Sequence, residues 1–244
     1  MPEGPSIVIL REEAAGFVGQ RVQRAHGNAK IAMDRITGQR VQGLRSFGKQ
    51  TLILFDGFFL RVHLLMFGSY TIDDRKDRAP RLGLVFADGE LNFYNCSVKL
   101  LEGDAAGQYD WRVDIMSEQW DEKRVRKLFR AMPDAFVCDA LLDQDVFAGV
   151  GNIIKNEVLF LCKVHPLSRV GELPARKANE IVAQARAYSF RFLDWKKAHV
   201  LRKHWLVHNK SQCPVHQVPL SRGYLGLRKR RSFFCELCQR RYGG

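Results

Sequence analysis

Two short cysteine pairs near the C-terminus constrain this chain more than any other feature. Cys213-Pro-Val-His216 is followed, eighteen residues later, by Cys235-Glu-Leu-Cys238. Two ligand pairs, each spaced by two residues, suit two tight knuckles converging on one tetrahedral zinc. Four protein ligands leave no open coordination position, so such a zinc is structural. A disulfide is the competing use of these thiols. The surrounding tail is short and basic and has little core of its own, so a bound metal would supply its folding energy. The other cysteines, Cys96, Cys138 and Cys162, are isolated among apolar residues and read as buried thiols in a reducing compartment.

The charge points the same way. Lys and Arg number 39 against 26 Asp and Glu, a net +13, and the excess lies wholly in residues 121–244. Residues 196–244 carry a single acidic side chain, Glu236. A block this one-sided repels itself unless a polyanion neutralises it, and nucleic acid is the usual one. No run approaches 18 apolar residues, so no membrane span is expected. The N-terminus has no basic stretch followed by an apolar core, so no signal peptide is expected either.

Patterning divides the 244 residues. Apolar residues recur at helical spacing over Ile7–Phe17. From Arg21 to Leu101 the signals are those of strands: Gln50–Phe55, Phe58–Leu65, Gly83–Phe86 and Leu91–Tyr94, with turn chemistry at Asp56-Gly57 and Asp88-Gly89. From Asp121 helical periodicity predicts helices over Asp121–Met132, Asp134–Gln144, Val150–Val164 and Ala175–Trp195. The fold class expected is α+β and multidomain. A β-sandwich domain with a helix (1–118) precedes a helical domain (119–207) and a zinc-finger β-hairpin (208–244). In Leu141–Asn152 one helix gives way through Ala148-Gly149 to another starting near Gly151-Asn152, where free backbone N–H groups can meet a phosphate.

Together these pieces resemble the formamidopyrimidine-DNA glycosylase/endonuclease VIII family of base-excision repair enzymes. The resemblance rests on Met1-Pro2-Glu3-Gly4-Pro5, Gly48-Lys49, His63–Gly68, the Leu141–Asn152 stretch with Glu157-Val-Leu-Phe and His165-Pro166 beyond it, and the zinc hairpin. It implies a helix–two-turn–helix lobe, a DNA cleft between two lobes, and a glycosylase with abasic-site lyase activity acting through a Schiff base and β,δ-elimination. It implies Pro2 as nucleophile and Glu3 as the acid that helps open the sugar. Lys49 would serve elimination, and Arg230 or its neighbour Arg231 would hold the lesion phosphates. Arg112 and Asn152 would contact DNA, and Leu65, Met66 and Phe67 would fill the gap left by a flipped base. That last segment, and the absence of an Arg-Arg-Phe triplet near Tyr94–Lys99, favour the endonuclease VIII branch and oxidised pyrimidines; oxidised purines are the alternative substrate. A zinc-containing DNA-binding protein without catalysis is the other. The partner expected is damaged DNA, duplex or single-stranded, met by a monomer in the bacterial cytoplasm or a nucleus. The sequence departs from the family at Ser6, where an acidic residue is usual, at His216, where cysteine is usual, and at Asp114-Ile-Met-Ser117.

Overall fold

A computed structural model describes residues 2–243. The chain forms two compact units, Met1–Asp110 and Trp111–Gly244.

The first unit is an all-antiparallel sandwich. Helix α1 (Gly4–Glu13) opens it, with Pro5 in its first turn, where the missing N–H costs nothing. The strands follow as β1 (Arg24–His26), β2 (Gly43–Phe47), β3 (Gln50–Leu54), β4 (Phe58–His63), β5 (Ser69–Ile72), β6 (Leu82–Phe86), β7 (Gly89–Tyr94) and β8 (Ser97–Glu102), with a one-turn helix α2 (Met33–Ile36) after β1. One sheet has the order β1-β6-β7-β5 and the other β2-β3-β4-β8. Asp56-Gly57 lies in the turn of the β3–β4 hairpin, and Ala87-Asp88 makes that of β6–β7, with Gly89 already in β7 and paired with Phe86. Between the sheets lies one continuous apolar core, in which Ile53, Leu60 and Val62 meet Leu82, Leu84 and Phe93, with Ile7 and Leu10 of α1 joining them.

The second unit begins with a 3-10 turn, Trp111–Val113. The unusual Asp114–Ser117 segment is tied down locally: the Asp114 carboxylate accepts from the Met116 N–H at 2.9 Å, and the Arg186 guanidinium donates to the carbonyls of Ile115 and Ser117 at 3.2 and 3.1 Å. Its helices are α3 (Glu122–Arg130), α4 (Val137–Ala140), α5 (Asn152–Leu161) and α6 (Ala175–Lys197). Asp121 caps α3 by accepting from the Arg124 N–H at 3.0 Å. The helix expected over Asp134–Gln144 is a single turn, α4. Its leading N–H groups are taken by a neighbouring segment, Val137 by the Ser168 carbonyl and Cys138 by Pro166, and the chain leaves it through reverse turns. A hairpin of β9 (Ser221–Leu225) and β10 (Arg230–Phe234) ends the unit. Among the described residues no helix is long and apolar enough to cross a membrane.

Candidate functional site

In the first unit the chain enters α1 through Pro2 and Glu3. Glu3 is the N-cap: its backbone is extended and its carbonyl accepts from the Ser6 N–H at 2.8 Å. The residue is 0% exposed. A frayed terminus does not bury a carboxyl group, because desolvating one is costly unless it is held by partners. Lys49 sits with Gly48 in the two-residue turn between β2 and β3, where Phe47 pairs with Gln50; Gly48 adopts φ +54° and so makes that turn without strain. His63, at the end of β4, has its pKa lowered, first by burial and then by the charges of Lys49 and Arg61. A neutral His63 suits the role it plays, since its Nδ1 accepts from the Leu65 N–H at 3.0 Å. That bond holds the turn after β4, in which Leu65, Met66 and Phe67 are 49%, 51% and 80% exposed. Three large apolar side chains are thus displayed to solvent in a row. Gly68 closes the turn against the Leu64 main chain, where a Cβ would sit 2.0 Å from the Leu64 carbonyl oxygen.

In the second unit the two-turn connection is locked by Gln144. Its amide donates to the Leu142 and Val150 carbonyls at 3.0 and 3.2 Å and accepts from the Gly149 N–H at 3.1 Å. Gly149 has φ +101°, and Gly151 is the N-cap of α5, so a glycine-lined helix N-terminus stands where an anion is favoured. Asn152 is the first residue of that helix and is largely buried; its Nδ2 donates to the Arg231 carbonyl at 2.8 Å. Arg112 lies exposed in the opening 3-10 turn.

Arg230 and Arg231 begin β10, opposite Leu225 and Tyr224. As consecutive strand residues they face opposite sides of the hairpin. The Arg231 guanidinium lies 5.0 Å from the centre of the Phe233 ring on its own side. The hairpin tip is gripped from α4. The buried Asp139 carboxylate accepts from the backbone N–H groups of Leu227 and Arg228 at 2.7 and 3.1 Å, and Arg228 pairs with Asp143 at 2.9 Å. Gly226 is required here, since it adopts φ +73° and a Cβ would stand 2.4 Å from the Asp139 carboxylate. Asp139 is a site-building residue that the sequence alone does not disclose, because its partners are backbone groups more than eighty residues away. Gln144 and His63 bond backbone groups of their own turns, where nothing in their spacing marks them out.

Below the hairpin, ligand atoms of Cys213, His216, Cys235 and Cys238 all lie within 4.8 Å of one another. The Cys213 and Cys238 sulfurs are 3.6 Å apart, and His216 Nδ1 is 3.2 Å from Cys238 Sγ and 3.9 Å from Cys235 Sγ. Bonds of about 2.3 Å from sulfur to zinc set tetrahedral edges of about 3.8 Å, so the quartet has the dimensions of a metal site. Cys96, Cys138 and Cys162 are free and buried, away from this quartet in role; burial pushes their thiols up, that of Cys138 to about 12.

A sandwich that begins with a buried acid after proline, a glycine-lined helix N-terminus and an arginine-bearing hairpin over a Cys3His quartet are the parts expected of the family that the sequence resembles. Family models confirm the class: the formamidopyrimidine-DNA glycosylase N-terminal domain matches residues 1–97 and the formamidopyrimidine-DNA glycosylase H2TH domain residues 113–189. The chain belongs to the formamidopyrimidine-DNA glycosylase/endonuclease VIII family. Mouse endonuclease 8-like 3 is 31% identical over 212 residues, covering 83% of this chain and 35% of that protein. Bovine endonuclease 8-like 2 is 34% identical over 226 residues, covering 82% of this chain and 64% of that protein. The chain thus spans little more than a third of the endonuclease 8-like 3 proteins it matches. The fold is shared with formamidopyrimidine-DNA glycosylase of Lactococcus lactis, solved non-covalently bound to DNA containing an abasic site. The TM-score is 0.85 at 23% identity, covering 98% of this chain and 100% of that one. The same enzyme has been solved with DNA containing an oxidised pyrimidine.

Proposed function

We propose that this protein is a bifunctional DNA glycosylase and abasic-site lyase that removes oxidised pyrimidines. The observation that carries the catalytic part is the wholly buried Glu3 immediately after Pro2. With Met1 removed, Pro2 presents a secondary amine, and an α-amino group titrates at about 7.7–8.0, leaving a useful unprotonated fraction at neutral pH. The amine lone pair attacks the sugar C1′, and the C1′–N bond breaks with its electrons on the departing base, which takes up a proton. Glu3 protonates the ring oxygen as the sugar opens, leaving an iminium between Pro2 and C1′. The iminium acidifies the neighbouring carbon; loss of that proton expels the 3′ phosphate, and a second elimination expels the 5′ phosphate. Lys49, at the hairpin turn, serves the first elimination. Arg112, Asn152 and the α5 N-terminus, and Arg230 with Arg231 beside it, grip phosphates. Zinc on Cys213, His216, Cys235 and Cys238 holds the hairpin and takes no part in the chemistry.

Substrate choice rests on Leu65–Phe67. An enzyme that flips a base must fill the gap, and apolar side chains already exposed in a turn can do so without rearranging a core. The similarity to proteins named endonuclease 8-like favours the same branch. Borohydride trapping on abasic DNA, with a panel of lesion-bearing duplex and single-stranded oligonucleotides, tests both parts. The expected result is a covalent adduct lost in Pro2→Gly, faster excision of hydroxylated or dihydro pyrimidines than of 8-oxoguanine, and Met66→Ala slowing excision more than abasic-site cleavage. No adduct from protein with a free Pro2 amine refutes the enzyme, and preferred excision of 8-oxoguanine refutes the pyrimidine assignment.

A further inference from the structure

Helix α5 carries a polar stripe of which the reaction above uses only the first residue, Asn152. Asn152, Lys155 and Asn156 fall at i, i+3 and i+4, so they share one helix face. That face is turned inward: Lys155 is 0% exposed and Asn156 is buried. All three side chains converge on a single acceptor, the main-chain carbonyl of Arg231, with nitrogen–oxygen distances of 2.8, 3.3 and 3.5 Å. Lys155 Nζ also donates to Ser232 Oγ at 2.8 Å, and Ser232 is itself fully buried. Next along the helix, the buried Glu157 carboxylate accepts three backbone N–H groups, those of Leu206, Val207 and His208, at 2.7–3.0 Å. His208 Nδ1 in turn lies 3.0 Å from Asn156 Nδ2.

Burying an ammonium group is costly, and a methionine would fill the same space without that penalty. Packing therefore does not explain a lysine here. What the ammonium does is fix a direction: among the described residues β10 has β9 as its only ladder partner, and α5 adds charged and amide donors at the carbonyl next to Arg230. We infer that Lys155 is a positioning residue, whose buried ammonium pins the Arg231–Ser232 main chain to α5 so that the adjoining Arg230 guanidinium meets a DNA phosphate in a fixed direction. This rests on the reading of Arg230 as a phosphate ligand.

The test is a double-mutant cycle on the full zinc-loaded chain. Affinity for a duplex carrying a tetrahydrofuran abasic-site analogue is read by fluorescence anisotropy across a salt series. Zinc content and melting temperature are measured alongside. Lys155→Met should bind about tenfold more weakly, since a charge-assisted contact is lost. The slope of log affinity against log salt should be shallower by about one, the signature of one phosphate contact gone. Melting temperature should be held or raised, the opposite of what a purely structural lysine predicts. In an Arg230→Ala background, Lys155→Met should change affinity by less than about twofold, because the two act through one contact. Ser232→Ala, a smaller change that removes the other end of the Lys155 contact, should reproduce the effect and keeps the test alive if Lys155→Met does not fold. An additive cycle with Arg230→Ala binding weakly overturns the role of Lys155 alone. Wild-type affinity in Arg230→Ala overturns the phosphate reading and the role together.

Discussion

The sandwich and the hairpin are held by different physics. Between the sheets, side chains such as Leu60, Leu82, Leu84 and Phe93 are wholly buried in one apolar core that spans every layer of the first unit. The hairpin's own apolar cluster is small: Val207, Leu220, Phe233 and Phe160 of α5, with Cys213 and Cys235 among them. It is fixed instead by polar contacts, the Asp139 carboxylate at its tip and the α5 donors at the start of β10, and by the ligand quartet at its base. Hydrophobic burial is non-directional and tolerates small shifts, whereas carboxylate–amide and ammonium–carbonyl bonds fix orientation. On the proposed reading the hairpin presents arginines to a phosphate chain, and such a region gains from the second kind of restraint.

The comparison is broken most severely by removing the zinc proposed for the Cys3His quartet. Chelation, or Cys235→Ala, should unfold the region from 208 onward and abolish DNA binding, because the free energy of metal binding is the folding energy of so small a module. The sandwich should be untouched. Hydrogen exchange read peptide by peptide checks this: loss of protection across β9 and β10 with β3, β4, β6 and β7 unchanged is expected, and a zinc-free protein that keeps hairpin protection would refute it.

The reciprocal change is smaller. Leu60→Ala removes a wholly buried side chain from the sandwich core and should cost about 2–5 kcal/mol of stability there. Zinc content and hairpin protection should stay at wild-type levels. If the hairpin loosens as much as the sandwich, the contrast between the two regions fails.

The same contrast explains what was legible in the sequence. In the sandwich the four strands predicted are β3, β4, β6 and β7, all interior to their sheets and mostly buried. The four passed over, β1, β2, β5 and β8, are the sheet edges, half exposed and written in residues such as Arg24, Arg45, Thr71 and Lys99 that look like loop. The Cys213, His216, Cys235 and Cys238 spacing was legible because it is local, and the structure brings the four ligands together. The Asp139 and α5 contacts were not, since Lys155 in a helical stretch reads as a solvated charge and its partners lie more than seventy residues away. Patterns of burial can be read from periodicity; polar restraints depend on where distant main-chain groups come to rest.

The smallest expected effect concerns His208, the histidine beside that stripe. Its pKa is lowered to about 4, first by burial and then by the charges of Lys155 and Arg231, so it is neutral in the folded protein at pH 7. An unfolded histidine titrates at about 6.5. Between these values the unfolded chain binds the proton and the folded chain does not, so stability is complete above about pH 6.5 and declines as the pH falls towards 4. The slope from this one group approaches about 1.4 kcal/mol per pH unit in the middle of that window. Glu157, whose pKa is raised by burial against the opposing pull of its three backbone donors, works in the other direction and gains as it is protonated. Protonation of the cysteine ligands adds a loss of its own on acidification. Comparing wild type with His208→Gln, whose side-chain oxygen can accept the Asn156 bond, cancels both. Denaturant midpoints for the second unit, followed by hairpin exchange from pH 7 to 5, should show the wild type losing stability faster than the variant as the pH drops. Parallel curves would mean that the Asn156–His208 contact survives protonation and that the stripe is less tightly built than its distances imply.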